Sequence, residues 1–210
     1  MNAKVRLVEH SRQSYNFMVA AARSCYSARG LVTPEQVAAG RRQAVPAERH
    51  AARDRLALGV FEAGHHTTLQ HGQVQFALEG VSRLFIWSFL HSHPFYNSEQ
   101  VSQRYVPVAT DHYYRPALNG AAVAIYKEQV ERAAAAYRAL AALLEPRCRE
   151  LYLERFPARR RSPRLETDPT KLALEAARYV LPLATTAYLY HTVSVLTLFR
   201  YQRLAEQRDA

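Results

Sequence analysis

The side chains able to do chemistry gather between Gly64 and Tyr105. That stretch opens with GHHTTLQH, which sets three imidazoles, two hydroxyls and one amide within eight residues. It closes with Ser102-Gln103-Arg104-Tyr105, and a His91-Ser92-His93-Pro94 loop lies between. Imidazole, hydroxyl and amide groups both give and take hydrogen bonds, and a guanidinium fork suits a phosphate or carboxylate. The pattern is that of a binding site for a polar, anionic small molecule. His65, His66, His71, His91, His93 and His112 invite a metal reading, but no HExxH or comparable ligand spacing accompanies them. No nucleophile–base triad is recognisable either, so no residue is assigned as catalytic and none as a metal ligand.

The charge balance points the same way. The formal net charge is +10, and lysine occurs only at 4, 127 and 171, leaving 25 of the 28 cationic side chains as arginine. Arginine-rich surfaces meet nucleic acids, small polyanions such as nucleotides and dinucleotides, or only solvent. The densest run, Arg159-Arg160-Arg161 in FPARRRSPR, sits among prolines and reads as an exposed loop. It lacks interleaved aromatics and any nucleic-acid motif, so nucleic acid is not the expected partner. With 210 residues, 49% hydrophobic and 22% charged, the chain has the make-up of one globular domain with a sizeable core. No apolar run approaches the roughly 20 residues that span a bilayer. The N-terminus lacks a signal-peptide core, and Cys25 and Cys148 make no CxxC pair, so a cytoplasmic protein is expected.

The elements that must position these groups follow from periodicity. Val5–Val8 alternates as a short strand, and Ser14–Cys25 reads as a helix with apolar Phe17, Val19 and Ala20–Ala22. Thr33-Pro34-Glu35-Gln36 has the chemistry of a helix start, with a cap, proline at N1 and Gln at N3. A further helix from about Ala47 to Ala63 ends at Gly64. Gln73–Val81 alternates as a strand and leads through Ser82-Arg83 into a helical LFIWSFLHS. Residues 121–145 form a long helix whose Tyr126, Val130, Ala133, Tyr137, Leu140 and Leu144 recur as a packing seam. Pro146 is expected to break it before a second helix over about 147–155. Asp168-Pro169 is expected to begin a last helical pair, with Leu189, Val193, Leu198 and Phe199 as the apolar skeleton of the second helix. The fold class is α+β: a small, mostly antiparallel sheet packed with long helices, over residues 1–210 as a single domain.

The order of these motifs resembles the flavin-dependent thymidylate synthases. That family carries a GHxSxxEH segment, a strand ending in G-[IV]-SR, a loop RHRxxSxxxxSxRY and, later, E-x-A-R-x-x-L-P. Here these fall on Gly64–His71, Gly80–Arg83, the loop ending at Ser102-Gln103-Arg104-Tyr105, and Glu175–Pro182. Stretches 5–27 and 177–199 are similar as well. The resemblance implies methylene transfer from methylenetetrahydrofolate to C5 of dUMP, with reduced FAD supplying the hydride and NADPH restoring it. It also implies a homotetramer whose sites are shared between subunits. By the same resemblance Cys25, His65, Thr67, Gln70, His91 and His93 meet the FAD. Gln100, Ser102, Arg104 and Arg178 meet the nucleotide.

Some family positions hold other residues. Gln70 replaces a Glu, and the RHR arginines are absent in either register of the His91–Pro94 loop. The C-terminal N-x-R positions hold Ser194 and Leu196, and later ligand positions hold Arg200, Ala205 and Asp209. A second reading therefore stands beside the enzyme. In it the chain is a non-catalytic family domain that scaffolds or completes the site of a second synthase domain, one form of this reading being the first half of a tandem chain.

Overall fold

The computed structural model describes residues 3–39, 46–92 and 96–207. Strand β1 is Lys4–His10, followed by helices α1 (Ser14–Cys25), α2 (Pro34–Ala39) and α3 (Pro46–Glu62). A 3₁₀ turn, His66–His71, leads to β2 (Gln73–Ser82) and directly into α4 (Arg83–Ser92). Then come β3 (Tyr96–Gln100), α5 (Ala121–Arg155), α6 (Arg164–Ala177), β4 (Thr186–Ser194) and α7 (Val195–Glu206). The four strands form a small antiparallel sheet in the order β1-β2-β4-β3. This is the α+β architecture expected from the sequence. No described helix is long and apolar enough to cross a membrane.

The chain falls into two compact units. One comprises Val5–Ala77, Ser92–Ser98 and Tyr190–Ala210. In it Val19 and Ala20 of α1 pack with Val37 of α2, and Val32 and Ala57 cover them. The expected capping box forms: Gln36 N–H donates to Thr33 Oγ1 (3.3 Å), and Thr33 N–H donates back to Gln36 Oε1 (2.8 Å). Gly64 ends α3 with a φ of +79°, the left-handed conformation in which glycine carries no steric cost. Gly72 is required for another reason. A Cβ there would stand 2.8 Å from Val195 Cγ2 and 2.9 Å from Met18 Sδ.

The other unit comprises Met1–Lys4, Leu78–His91 and Glu99–Leu189. Its core is the packing of α5 on α6, with Tyr137, Leu174 and Ala177 buried together under Val108, Leu140, Ala141 and Leu181. The seam read from the sequence thus faces the core of its own chain.

Three expectations are corrected. Helix α5 runs unbroken through Pro146. Proline there forfeits one backbone hydrogen bond to the Ala142 carbonyl, yet Val130, Ala134, Tyr137 and Tyr152 remain buried along the helix on both sides of it. Helix α6 begins at Arg164, so Pro169 lies inside it, buried, rather than at its start. Most plainly, residues 186–194 are strand and not helix. Ala187, Leu189, His191 and Val193 are buried in strict alternation with Tyr188 and Tyr190, which are exposed. A run of TAYLYHTVS, rich in β-branched and aromatic residues, favours a period of two over 3.6. The basic run Arg159–Arg161 forms a 3₁₀ turn, in which the half-buried Arg159 donates to the Tyr152 hydroxyl (2.8 Å) and covers the Phe156 ring.

Candidate functional site

The main cluster of cations lies where β2 hands over to α4. Ser82 Oγ accepts the Phe85 N–H (3.1 Å) and so starts α4. Arg83 follows, half-buried, and its guanidinium donates to Gln100 Oε1 (2.8 Å) and Gln103 Oε1 (3.2 Å). Burial, and secondarily the charge of Arg178, lowers the Arg83 guanidinium from its usual value. Both partners are neutral amides, so Arg83 brings a full positive charge that these contacts leave uncompensated.

The loop after β3 carries the next groups. It is tied to β4 by Val101 N–H donating to the Tyr188 carbonyl (3.1 Å). Ser102 Oγ accepts the Arg104 N–H (3.2 Å), a local turn that turns the Arg104 backbone toward Ser102. Arg104 Nε then meets Glu175 Oε1 of α6 at 3.0 Å, and Arg178 Nη2 approaches the same oxygen at 4.0 Å. One carboxylate oxygen thus serves two guanidiniums. Arg104 and Lys171 flank the Tyr105 ring, and Arg178 lies over Tyr179. Beside this cluster a cavity of about 440 Å³ is lined by Ser102, Gln103, Val101, Val106, Pro107 and Tyr188, among others. Gln100, Ser102, Arg104 and Arg178 are therefore gathered in one unit. They are joined by Arg83 and Glu175, which the sequence reading passed over although both sit inside quoted motifs, GVSR and EAARYVLP.

A second group stands in the other unit. Tyr26, next to Cys25 at the end of α1, brings its hydroxyl within 3.4 Å of His65 Nδ1. Cys25 is exposed, and so are Thr67 and Gln70 on the 3₁₀ turn. The neighbouring residues fix that turn. Thr68 is buried and donates to the His65 carbonyl (3.2 Å), while His66 packs on Phe61 with ring centres 4.8 Å apart. His71 meets the edge of Phe17. The division is legible afterwards: in HHTT the first Thr is exposed and the first His meets Tyr26, while the second of each holds the backbone.

His91, in the last turn of α4, is turned onto its own helix. Its ring stacks on Trp87 at 4.7 Å, and Nδ1 bonds the Trp87 carbonyl at 2.6 Å. His93, and with it the register of the loop, lies outside the described residues. Ser194 caps α7 by accepting the Thr197 N–H (3.2 Å), and Leu196 is buried, so both act in the fold here. Among the described residues no three His, Cys, Asp or Glu side chains are grouped as metal ligands.

One buried histidine went unremarked in the sequence. His191, 2% exposed on β4, bonds Ser98 Oγ at 2.5 Å and the Tyr201 hydroxyl at 3.1 Å. Burial pushes its pKa down to about 4, and pushes that of Tyr201 up to about 12.

A small antiparallel sheet within a helical α+β fold, carrying an arginine cluster beside a cavity, defines an α+β protein with a candidate site for an anionic ligand. Residues 6–210 match the model of the family described as thymidylate synthase complementing protein, and the chain belongs to that family. It is 29% identical over 203 residues to the flavin-dependent thymidylate synthase of Nitratidesulfovibrio vulgaris, covering 94% of this chain and 72% of the relative. It is 27% identical over 206 residues to the flavin-dependent thymidylate synthase of Clostridium tetani, covering 97% and 74%. The fold is similar to that of the UMP/dUMP methylase PolB of Streptomyces cacaoi, solved with 5-bromo-dUMP, at a TM-score of 0.51 and 18% identity. That match covers 92% of this chain and 73% of the methylase.

Proposed function

We propose that this chain binds dUMP at the Arg83–Arg104–Arg178 cluster and methylates its uracil as a flavin-dependent thymidylate synthase. The observation that carries the reading is the convergence of Ser102, Arg104 and Arg178 with Arg83 beside an open cavity. Guanidiniums on a half-buried surface suit a phosphate dianion, and the cavity sets Ser102 and Gln103, with Lys4, Glu79, His112 and Thr186, among apolar side chains, a lining suited to a pyrimidine ring. Membership of the family and the named relatives support the same reaction.

The donors and acceptors of exposed Cys25, Thr67 and Gln70 and of half-buried His65 fit the polar edge of a flavin, so FAD is the expected cofactor. When bound and reduced, FAD supplies the hydride that completes the methyl group. In the overall reaction a carbon–carbon bond forms between uracil C5 and the methylene of methylenetetrahydrofolate, the C5 proton leaves, and tetrahydrofolate departs. NADPH is the reductant. The part of this chain is to hold and orient. Arg104 and Arg178 neutralise the phosphate, Arg83 keeps Gln100 and Gln103 in place, and His65 and Thr67 orient the cofactor edge. A homotetramer is part of the proposal, because α4 leaves Leu84, Phe85 and Trp87 more than 40% exposed on a strongly apolar helix.

One observation favours the second reading, a non-catalytic domain that completes a partner's site. The family's RHR arginines are absent in either register of the His91–Pro94 stretch, and His91 is engaged with Trp87. Titrating the purified chain with FAD, then dUMP, and following the visible flavin spectrum separates the two. A bound flavin whose spectrum shifts with dUMP, followed by release of the C5 proton on adding folate and NADPH, is expected. A chain that takes up neither ligand at millimolar concentration would overturn the enzyme reading.

A further inference from the structure

A second cavity, of about 760 Å³, lies among α1, α2, α3 and the α1–α2 loop, apart from every residue assigned above. Among the described residues its lining holds four guanidiniums, Arg23, Arg29, Arg53 and Arg55, against a single carboxylate, Glu48. Arg53 is held in place: Nε meets Asp54 Oδ1 at 3.0 Å, Nη1 donates to Asn16 Oδ1 at 3.1 Å, and the group lies over the Tyr15 ring. The Asp54 carboxyl is in turn held below its usual value, first by the hydrogen bond from Arg53 and then by that from Tyr15. The side chains of Arg23, Arg29 and Arg55 make no ion pair or hydrogen bond among the described residues. The floor is aliphatic, with Val19 and Val37 buried and Val32 and Leu56 beside them. A concave, low-dielectric wall strengthens the field of the arginines that surround it.

We infer that this cavity is a binding site for a diphosphate group, distinct from the site of the nucleotide monophosphate. With Arg53 paired to Asp54, Arg23, Arg29 and Arg55 against Glu48 leave two net positive charges, the charge of a diphosphate esterified at both ends, and three separate guanidinium forks offer more donors than one phosphate group can take up. The guanidinium fork binds paired phosphate oxygens bidentately, where an ammonium would act as a point charge. The described lining residues include no aromatic ring, so recognition rests on the diphosphate and on aliphatic contact with whatever it is esterified to. The inference does not depend on the activity proposed above.

The test is calorimetric titration of the full chain with inorganic pyrophosphate, ADP and citrate, at low and at raised salt. Pyrophosphate binding is expected to weaken with salt, to weaken at least tenfold in R23Q/R55Q, and to exceed citrate binding at equal charge. ADP binding as tightly as pyrophosphate, or more so, would assign the site to esterified diphosphates; pyrophosphate binding more tightly would assign it to the inorganic ion. Should the double variant not fold, as judged by its circular dichroism melt, R29Q replaces it with the same expectation. Citrate binding as tightly as pyrophosphate, or binding lost in R104Q and retained in R23Q/R55Q, overturns the inference.

Discussion

Arg104 and Arg178 reach toward one another only because Glu175 lies between them. All three are at least a quarter exposed, so their ion pairs add little to stability. Replacing Arg178 by Gln should therefore leave the melting temperature nearly unchanged while weakening dUMP binding. A lost charge-assisted hydrogen bond of about 1.5–3 kcal/mol corresponds to roughly tenfold to a hundredfold in Kd, and calorimetry reads it directly. His191 makes the opposite kind of prediction, about stability. Its folded pKa of about 4 lies below the ordinary histidine value, so the unfolded chain takes up the proton first as pH falls. The stabilisation is complete above about pH 6.5 and is lost on acidification toward pH 4, by roughly 3 kcal/mol. Urea unfolding at pH 7 and pH 5 should show that slope in the parent and a shallower one in His191→Gln. Of these residues the sequence displayed those inside short motifs, such as Ser102, Arg104 and Arg178. The partnership of Arg83 with Gln100 spans 17 residues, and no local pattern announces it.

Helix α5 and the sheet show where local signals mislead at the level of elements. Pro146 is a strong local breaker, but a 35-residue helix with buried positions on both sides of it outweighs one missing bond. Pro146→Ala restores that bond at an exposed position and should stabilise the chain by about 1–3 kcal/mol, read as a higher denaturation midpoint. Gly72 is the reverse case. Ala there has to displace Val195, whose branched side chain cannot bend away as Met18 can, and should cost about 1–3 kcal/mol by the same measurement. The helices up to residue 92 were legible because their starts and stops are written in Thr33, Pro34 and Gly64. Strand β4 was not, since its apolar residues suit a buried helix as well as a strand, and only its partners in the sheet decide. The five residues of β3, Tyr96–Gln100, are too short and too polar to announce a strand.

At the scale of the whole molecule, large apolar side chains remain uncovered. Leu84, Phe85 and Trp87 on α4 and Val5 and Leu7 on β1 are all more than 40% exposed. Sedimentation velocity should find a species several times the mass of one chain, and Trp87→Glu should shift it toward smaller species without changing the far-ultraviolet circular dichroism. The arginine-based charge was legible from composition, but its division was not. Some arginines pack on rings, some share Glu175, and some face a cavity, and only the folded chain sorts them.

The path of the chain has a consequence for its inheritance. It passes between the two compact units five times, at 4/5, 77/78, 91/92, 98/99 and 189/190. No single cut separates them, and all four strands contribute residues to both. A crossover within residues 73–82 parts the histidine turn from the arginine cluster, but it falls inside β2, whose residues both units share. Neither unit can be exchanged whole by one crossover, so residues such as Ser194, which caps α7, and Leu196, which is buried in it, are open to change by substitution within a kept apolar framework.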